Sequence, residues 1–260
     1  MKRALVTGAS GGIGAALCEN LAARAYKVLA HARSKAKAEA VGDFVPVWGD
    51  VTEPDDVEAI ARQVLGHGGA DLVVHNAGVL TRDTSTGPHG FGLHGEVNVI
   101  APWTLTKQLA EAGALREGAL VLVNSSSAAG LMRSTDYEQL ARPDGSSLFG
   151  HYALSKAAAN ALVVHMAAAL PDVRVLSAEP GFVKTKMTAG NDSMPWVMRK
   201  LAPLVGAKPR KAAERVLDHA LSHDVASGSV VQGRKSVDGR WSSPEAQASI
   251  ARLLEKAGVA

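Results

Sequence analysis

The chain has 260 residues, 47% hydrophobic and 20% charged, with a net charge of +3; this suits one or two folded globular domains and excludes a disordered polyelectrolyte. Its Lys and Arg residues are scattered and its aromatic residues few, so a nucleic-acid partner is not expected. The single cysteine, Cys18, leaves no intrachain disulfide and fits a reducing, cytoplasmic setting.

In chain order, Lys2 and Arg3 before apolar residues imitate the start of a secretory leader. The four glycines of TGASGGIG (7–14) interrupt the apolar stretch that a leader needs. No segment is apolar for long enough to span a bilayer. Short apolar runs then recur at ALVTG (4–8), KVLAHA (27–32), FVPVW (44–48), DLVVHNAG (71–78), ALVLVNSS (119–126) and VRVLSAEPG (173–181), each followed by a helical or loop stretch. Near-continuous apolar strands alternating with helices predict an α/β fold: a single doubly wound Rossmann-type domain over 1–260, a parallel sheet with helices on both faces. Segments 131–150 and 182–206 are long for connections and fall after strand ends, the side on which open parallel sheets bind ligands. Region 79–95 carries His89 and His94 without a recognised ligand spacing and reads as a solvated loop, so no metal site is expected.

The first of these runs leads directly into TGASGGIG, which opens a helix. Gly8, Gly12 and Gly14 allow a tight turn and close approach to a dinucleotide pyrophosphate at the helix N-terminus. The same letters satisfy G-x-S-x-G, the nucleophile elbow of a serine hydrolase, with Ser10 as nucleophile. An elbow needs earlier strands to supply its oxyanion loop, and this one ends the first strand. Further on, HYALSK (151–156) sets Tyr152 and Lys156 one helical turn apart on one face. Alone, that spacing equally describes a packed tyrosine beside a solvated lysine.

Taken together, TGASGGIG, HNAG (75–78), Asn98, NSSSAAG (124–130), Tyr152-x-x-x-Lys156 and PGFVKT (180–185) stand in the order and approximate spacing of the short-chain dehydrogenase/reductase family, which the chain resembles over nearly its whole length. The long Ser127–Tyr152 interval, GFGLH (90–94) and the tail SSPEAQASIARLLEKAG (242–258) resemble the retinol-dehydrogenase-like branch. The resemblance implies hydride transfer between a nicotinamide cofactor and a carbonyl or alcohol, with Asn98, Ser127, Tyr152 and Lys156 as catalytic residues. Tyr152 would exchange a proton with the substrate oxygen, its phenol brought toward the working pH by the Lys156 cation. Ser127, three residues after Asn124 and three before Gly130, would polarise that oxygen. Asn98 has its own argument: Pro102 lacks an N–H, so a helix through 98–102 leaves the Asn98 carbonyl without its usual donor, open to a water leading to Lys156 or to a simple kink. His75 reads as a structural residue at a strand end.

The implied cofactor contacts are Gly8, Ser10, Gly12, Ile13, Gly14, Asp50, Val51, Asn76, Ala77, Gly78, Tyr152, Lys156, Pro180, Gly181, Val183 and Thr185. NADP(H) is expected over NAD(H). After the second strand, Ala32 stands where an acidic residue would bind the ribose 2′-hydroxyl, and Arg33 and Ser34 follow with donors for a 2′-phosphate. Leu131, Met132, Tyr137, Met187, Met194 and Trp196 would line a site for a hydrophobic ketone or aldehyde. Helices 99–112 and 157–170 are apolar on more than one face, which predicts a homodimer. A non-catalytic dinucleotide-sensing module is the rival reading, although both Tyr152 and Lys156 are present.

Overall fold

The structure, a computed structural model, describes residues 1–142, 148–181, 183, 207–222, 225–232, 235–237 and 239–260. Its strands are β1 (Arg3–Val6), β2 (Lys27–Ala32), β3 (Val45–Trp48), β4 (Ala70–His75), β5 (Leu115–Asn124), β6 (Arg174–Ala178), β7 (Ser229–Gln232) and β8 (Lys235–Val237). They form one sheet in the order β3-β2-β1-β4-β5-β6-β7-β8, parallel through β7, with β8 added antiparallel at the edge. Two features differ from the sequence reading. Strands β7 and β8 were not among the six apolar runs, because both are short and lie near the sheet's edge. Strand β5 also starts at Leu115, four residues before its apolar run.

Helices α1 (Gly12–Ala23), α2 (Lys35–Glu39), α3 (Pro54–Gly66), the single turn α4 (Leu93–Gly95), α5 (Ala101–Glu111), the short α6 (Ala128–Leu131), α7 (Leu148–Ala169), α8 (Pro209–Ala220) and α9 (Pro244–Lys256) make up the rest. Alternate strand residues feed opposite faces of the sheet. Leu5, Val73, Val121 and Val175 join Leu105 of α5 and Leu162 of α7 in one core, and Ala4, Val6, Leu72 and Leu176 join Leu17 of α1 and Val216 of α8 in the other. Each fully buried Leu contributes roughly 1.5–3 kcal/mol. The strand order reverses between β1 and β4, which opens a crevice at the carboxyl ends of these strands.

Pro102 departs from the simple-kink expectation. Instead of kinking an α-helix, it follows a π turn over Glu96–Ile100, in which the Ala101 N–H donates to the Glu96 carbonyl five residues back. The one-residue frameshift accommodates the missing donor. Residues 82–86 of region 79–95 are exposed, as a solvated loop would be, but neither of its histidines is. Glu96 is fully buried and accepts from the His89 and Phe91 N–H groups at 3.0 and 3.1 Å and pairs with the His89 ring at 2.8 Å, while His94 is buried beside α7.

The apolar faces behind the homodimer expectation are covered within one chain. Ala157, Ala158, Leu162 and Met166 of α7 are buried in the same core as Trp241 and Ile250, Leu253 and Leu254 of α9. Across α5, the Trp103 indole N–H donates to the Val259 carbonyl at 2.7 Å, and its ring meets His165 of α7 edge-on. Among the described residues the exposed large apolar side chains are Met1, Trp48, Leu65 and Leu131, which do not fall on these helices. No described helix is long and apolar enough to cross a membrane.

Candidate active site

Gly8 and Gly12 adopt positive φ values of 64° and 56°, the turn that glycine permits. Gly14 serves close approach instead: a Cβ there would lie 2.1 Å from the Gly8 carbonyl oxygen. A Cβ on Gly11 would meet nothing within 4 Å, so the space above the turn is open. No side chain caps α1. A Gly-lined cradle at the N-terminus of a twelve-residue helix that no side chain caps fits a pyrophosphate, and the residues present therefore fit a dinucleotide. Ser10 and Gly11 are exposed at its rim, and Ile13 is half-buried. β1 lies in the middle of the sheet, and the hydrolase reading with Ser10 as nucleophile has no support.

A hydrogen-bonded chain runs from this cradle to α7. The Asn76 side-chain amide donates to the Thr7 and Gly8 carbonyls at 3.0 and 3.2 Å, and its oxygen accepts from Asn124 Nδ2 at 3.0 Å. The Asn124 carbonyl in turn accepts from Lys156 Nζ at 3.0 Å. Thr7 Oγ1 accepts from the N–H groups of Asn76 and Ala77, both at 3.0 Å. A Cβ on Gly78 would sit 3.1 Å from Asn98 Oδ1 and 3.6 Å from Lys156 Nζ, so this glycine lets both approach. His75 is buried under the segment. Because the Thr106 hydroxyl donates to the Pro102 carbonyl, His75 Nε2 donates to Thr106 Oγ1 across 2.8 Å; burial, with His31 nearby, pushes its pKa down to about 3.

Tyr152 and Lys156 share one face of α7, one turn apart. Burial pushes Lys156 down to about 8. It pushes the Tyr152 phenol up, against a hydrogen bond from Ser126 that lowers it and with the Glu179 carboxylate raising it further. In the protein without cofactor, desolvation is the largest of these effects. Ser126 is half-buried and is one of the groups that act on the Tyr152 phenol; Ser127 is exposed where the backbone turns helical into α6.

Asn98 is brought to the site through its side chain. Oδ1 accepts from the Val79 N–H at 3.0 Å, and Nδ2 donates to the Val79 carbonyl at 3.2 Å and to Ser155 Oγ at 2.9 Å; Ser155 in turn donates to the Tyr152 carbonyl at 2.8 Å. Asn98 thus ties the segment after Gly78 to the Tyr152 turn, whereas Lys156 bonds Asn124. His94, read as solvated, packs edge-on against Tyr152 with ring centroids 6.3 Å apart, and burial, with His151 and Lys156 nearby, pushes it down to about 4.

At the other end of the crevice, Arg33 and Ser34 are exposed beyond buried Ala32. Arg33 Nε lies 3.3 Å from Asp50 Oδ2, and Asp50 Oδ1 accepts from the Thr52 N–H and hydroxyl at 3.1 and 2.9 Å. Val51 is buried. Pro180 and Gly181 follow β6, and Val183 is buried. Of the expected substrate residues, Leu131 is exposed and Met132 half-buried. Tyr137 is wholly buried in the core, so it lines no open site. Thr185, Met187, Met194 and Trp196 lie outside the described residues.

The family model for short chain dehydrogenases matches residues 2–196, three quarters of the chain. The protein belongs to the short chain dehydrogenase family. Over 198 residues it is 32% identical to a 3-oxoacyl-(acyl-carrier-protein) reductase FabG of Vibrio cholerae, covering 72% of this chain and 75% of that one. Over 243 residues it is 33% identical to the granaticin polyketide synthase putative ketoacyl reductase 2 of Streptomyces violaceoruber, covering 82% and 87%. Among solved structures, a short-chain dehydrogenase/reductase from Serratia marcescens superposes with a TM-score of 0.67 at 26% identity, covering 93% and 98% of the two chains. Salutaridine reductase from Papaver somniferum shares the fold, with a TM-score of 0.68 at 19% identity over 88% and 99%.

As a short chain dehydrogenase, the protein is an oxidoreductase acting on carbonyl or hydroxyl groups with a nicotinamide cofactor. The Vibrio and Streptomyces relatives are named as a 3-oxoacyl reductase and a putative ketoacyl reductase, and lend the retinol-dehydrogenase-like branch no support. Two residues at this short chain dehydrogenase site were not among those singled out from sequence. Ser126 carries no signal that separates it from its neighbours in a run of three serines. Glu179 was visible as a charge between an apolar strand and Pro180-Gly181, which was signal enough.

Proposed function

We propose that the protein is an NADP(H)-dependent carbonyl reductase, an alcohol dehydrogenase in reverse, acting on hydrophobic ketones or aldehydes. The observation that carries this reading is the connected constellation of Tyr152, Lys156 and Ser126 at the end of the Asn76–Asn124 chain that begins in the glycine cradle. A bound nicotinamide supplies or accepts the hydride. The remaining work belongs to side chains. Tyr152, held as a phenol by burial, donates its proton to the substrate oxygen, and the Ser126 hydroxyl orients that oxygen. A protonated Lys156 one turn away stabilises the phenolate left behind.

Arg33 and Ser34 support the choice of NADP(H), since no acidic side chain at position 32 repels a 2′-phosphate. For the substrate, the reading rests on exposed Leu131 and half-buried Met132 after Ser126, and on relatives whose names make them ketoacyl reductases. Setting and assembly follow from the same reading: a cytoplasmic enzyme, with the homodimer expectation weakened by the covered faces of α5 and α7. The test is NADPH consumption against a panel of 3-oxoacyl thioesters, aliphatic and aromatic ketones, aldehydes and sugars. Turnover of the apolar carbonyls, faster with NADPH than with NADH, is expected. NADPH binding with no turnover of any carbonyl, nor of the corresponding alcohols with NADP+, would leave a dinucleotide-sensing module instead.

A further inference from the structure

We propose that Glu179 is a specificity-determining residue that selects carbonyl substrates bearing a positively charged amine near the reacting oxygen, an inference that rests on the carbonyl reductase reading above. Glu179 directly follows Ala178, the last residue of β6, and its N–H still donates to the Val231 carbonyl of β7 at 3.0 Å. Strand alternation therefore carries through it. Ala178 faces the α1–α8 core. Ser177 faces α7, where its hydroxyl donates to Asn160 Oδ1 at 2.7 Å, one helical turn beyond Lys156. Glu179, two residues after Ser177, is on that same α7 face and one step nearer the Tyr152 end. Its charge is felt there, since it is one of the groups that raise the Tyr152 phenol.

The carboxylate is half-buried, and among the described residues it makes no hydrogen bond or ion pair. Among the described residues, Lys156 Nζ donates to the Asn124 carbonyl, and Arg215 lies against Gly181 without pairing with Glu179. A half-buried carboxylate with no counter-charge among the described residues favours a ligand that brings one. The neighbouring surface is suited to the same ligand. Phe149 stands one turn before Tyr152 with ring centroids 6.4 Å apart, and ring faces attract an ammonium. His94 beside them is pushed down to about 4, so near neutrality it adds no competing positive charge. In the reaction, hydride passes from NADPH to the carbonyl carbon and a proton from Tyr152 to its oxygen; the ammonium is unchanged and serves only to hold the substrate.

The test compares two aryl ketones differing only by a protonated dimethylamino group in place of an isopropyl group, with NADPH, for wild type, Glu179→Gln and Glu179→Ala. The quantity read is the ratio of kcat/KM for the cationic ketone to that for the neutral one. Wild type is expected to favour the cation by about 10-fold or more, and both variants to lower the ratio by about the same factor. A wild-type preference for the neutral ketone, or a ratio unchanged in both variants, overturns the inference and leaves the reductase reading intact. If wild type reduces neither ketone nor any member of the wider panel, the reductase reading fails and the inference with it.

Discussion

Replacing Gly14 by alanine tests how the cofactor cradle is built. The added Cβ would lie 2.1 Å from the Gly8 carbonyl oxygen and 2.7 Å from Asn76 Nδ2. The first of these is backbone, which cannot rotate away. Relieving the contact requires a shift of about 1 Å, beyond what close-packed interiors absorb cheaply. Gly8 is held on both sides, by the Asn76 amide at its carbonyl and by His31 Nδ1 at 3.4 Å from its N–H. Overpacking of this kind costs about 1–3 kcal/mol and a weakened hydrogen bond about 1 more, against a helix-propensity gain of about 1 kcal/mol for alanine over glycine. The net expectation is a loss of about 1–3 kcal/mol in urea denaturation without cofactor, and NADPH affinity lowered at least about 10-fold. Gly11→Ala is the control. Its added Cβ meets nothing within 4 Å and its backbone is extended, so stability should stay within about 1 kcal/mol of wild type. A Gly14→Ala protein as stable as wild type would refute the close approach of Gly8 and Gly14.

Lys156, pushed down from 10.5 to about 8 by burial, binds fewer protons folded than unfolded between those values, so its contribution to stability grows as pH rises through that window and is lost as pH falls through about 8. Relative to Lys156→Met, wild type should gain about 2–3 kcal/mol between pH 7 and 10; parallel urea midpoints across that range would contradict it. Arg33→Ala should weaken NADPH about 10-fold or more and leave NADH nearly unchanged in direct binding titrations, since only the former carries a 2′-phosphate; equal weakening of both rejects Arg33 as the determinant. Because the apolar faces of α5 and α7 are covered within one chain, light scattering at micromolar concentration should return the monomer mass of 26.9 kDa, and a stable dimer would show that another surface pairs.

The sheet and the Tyr152–Lys156 pair were legible in the sequence because both follow from short-range periodicity: apolar runs for buried parallel strands, and four-residue spacing for one helix face. The glycine turn was legible because backbone conformation there leaves glycine little alternative. What escaped depended on contacts distant in sequence. Ser126 is distinguished from Ser127 only by where β5 ends and the backbone turns helical before Ala128. Pro102 announced a missing donor, but not that the preceding turn would adopt π geometry with Glu96 buried beneath it. The apolar surfaces of α5 and α7 looked like an interface because the residues that cover them, Trp241 and α9, follow more than 70 residues after α7 ends. His94 carried no local sign that it would pack on Tyr152 from 58 residues away.

The most direct measurement of the central claim is NADPH oxidation by Tyr152→Phe with the best carbonyl substrate of the panel, beside NADPH binding by the same variant. If Tyr152 donates the proton, kcat should fall by about 100-fold or more while the Kd for NADPH stays within about threefold of wild type. Retention of more than about a tenth of wild-type kcat, a loss below about 1.4 kcal/mol, would contradict the assignment of Tyr152 as the acid.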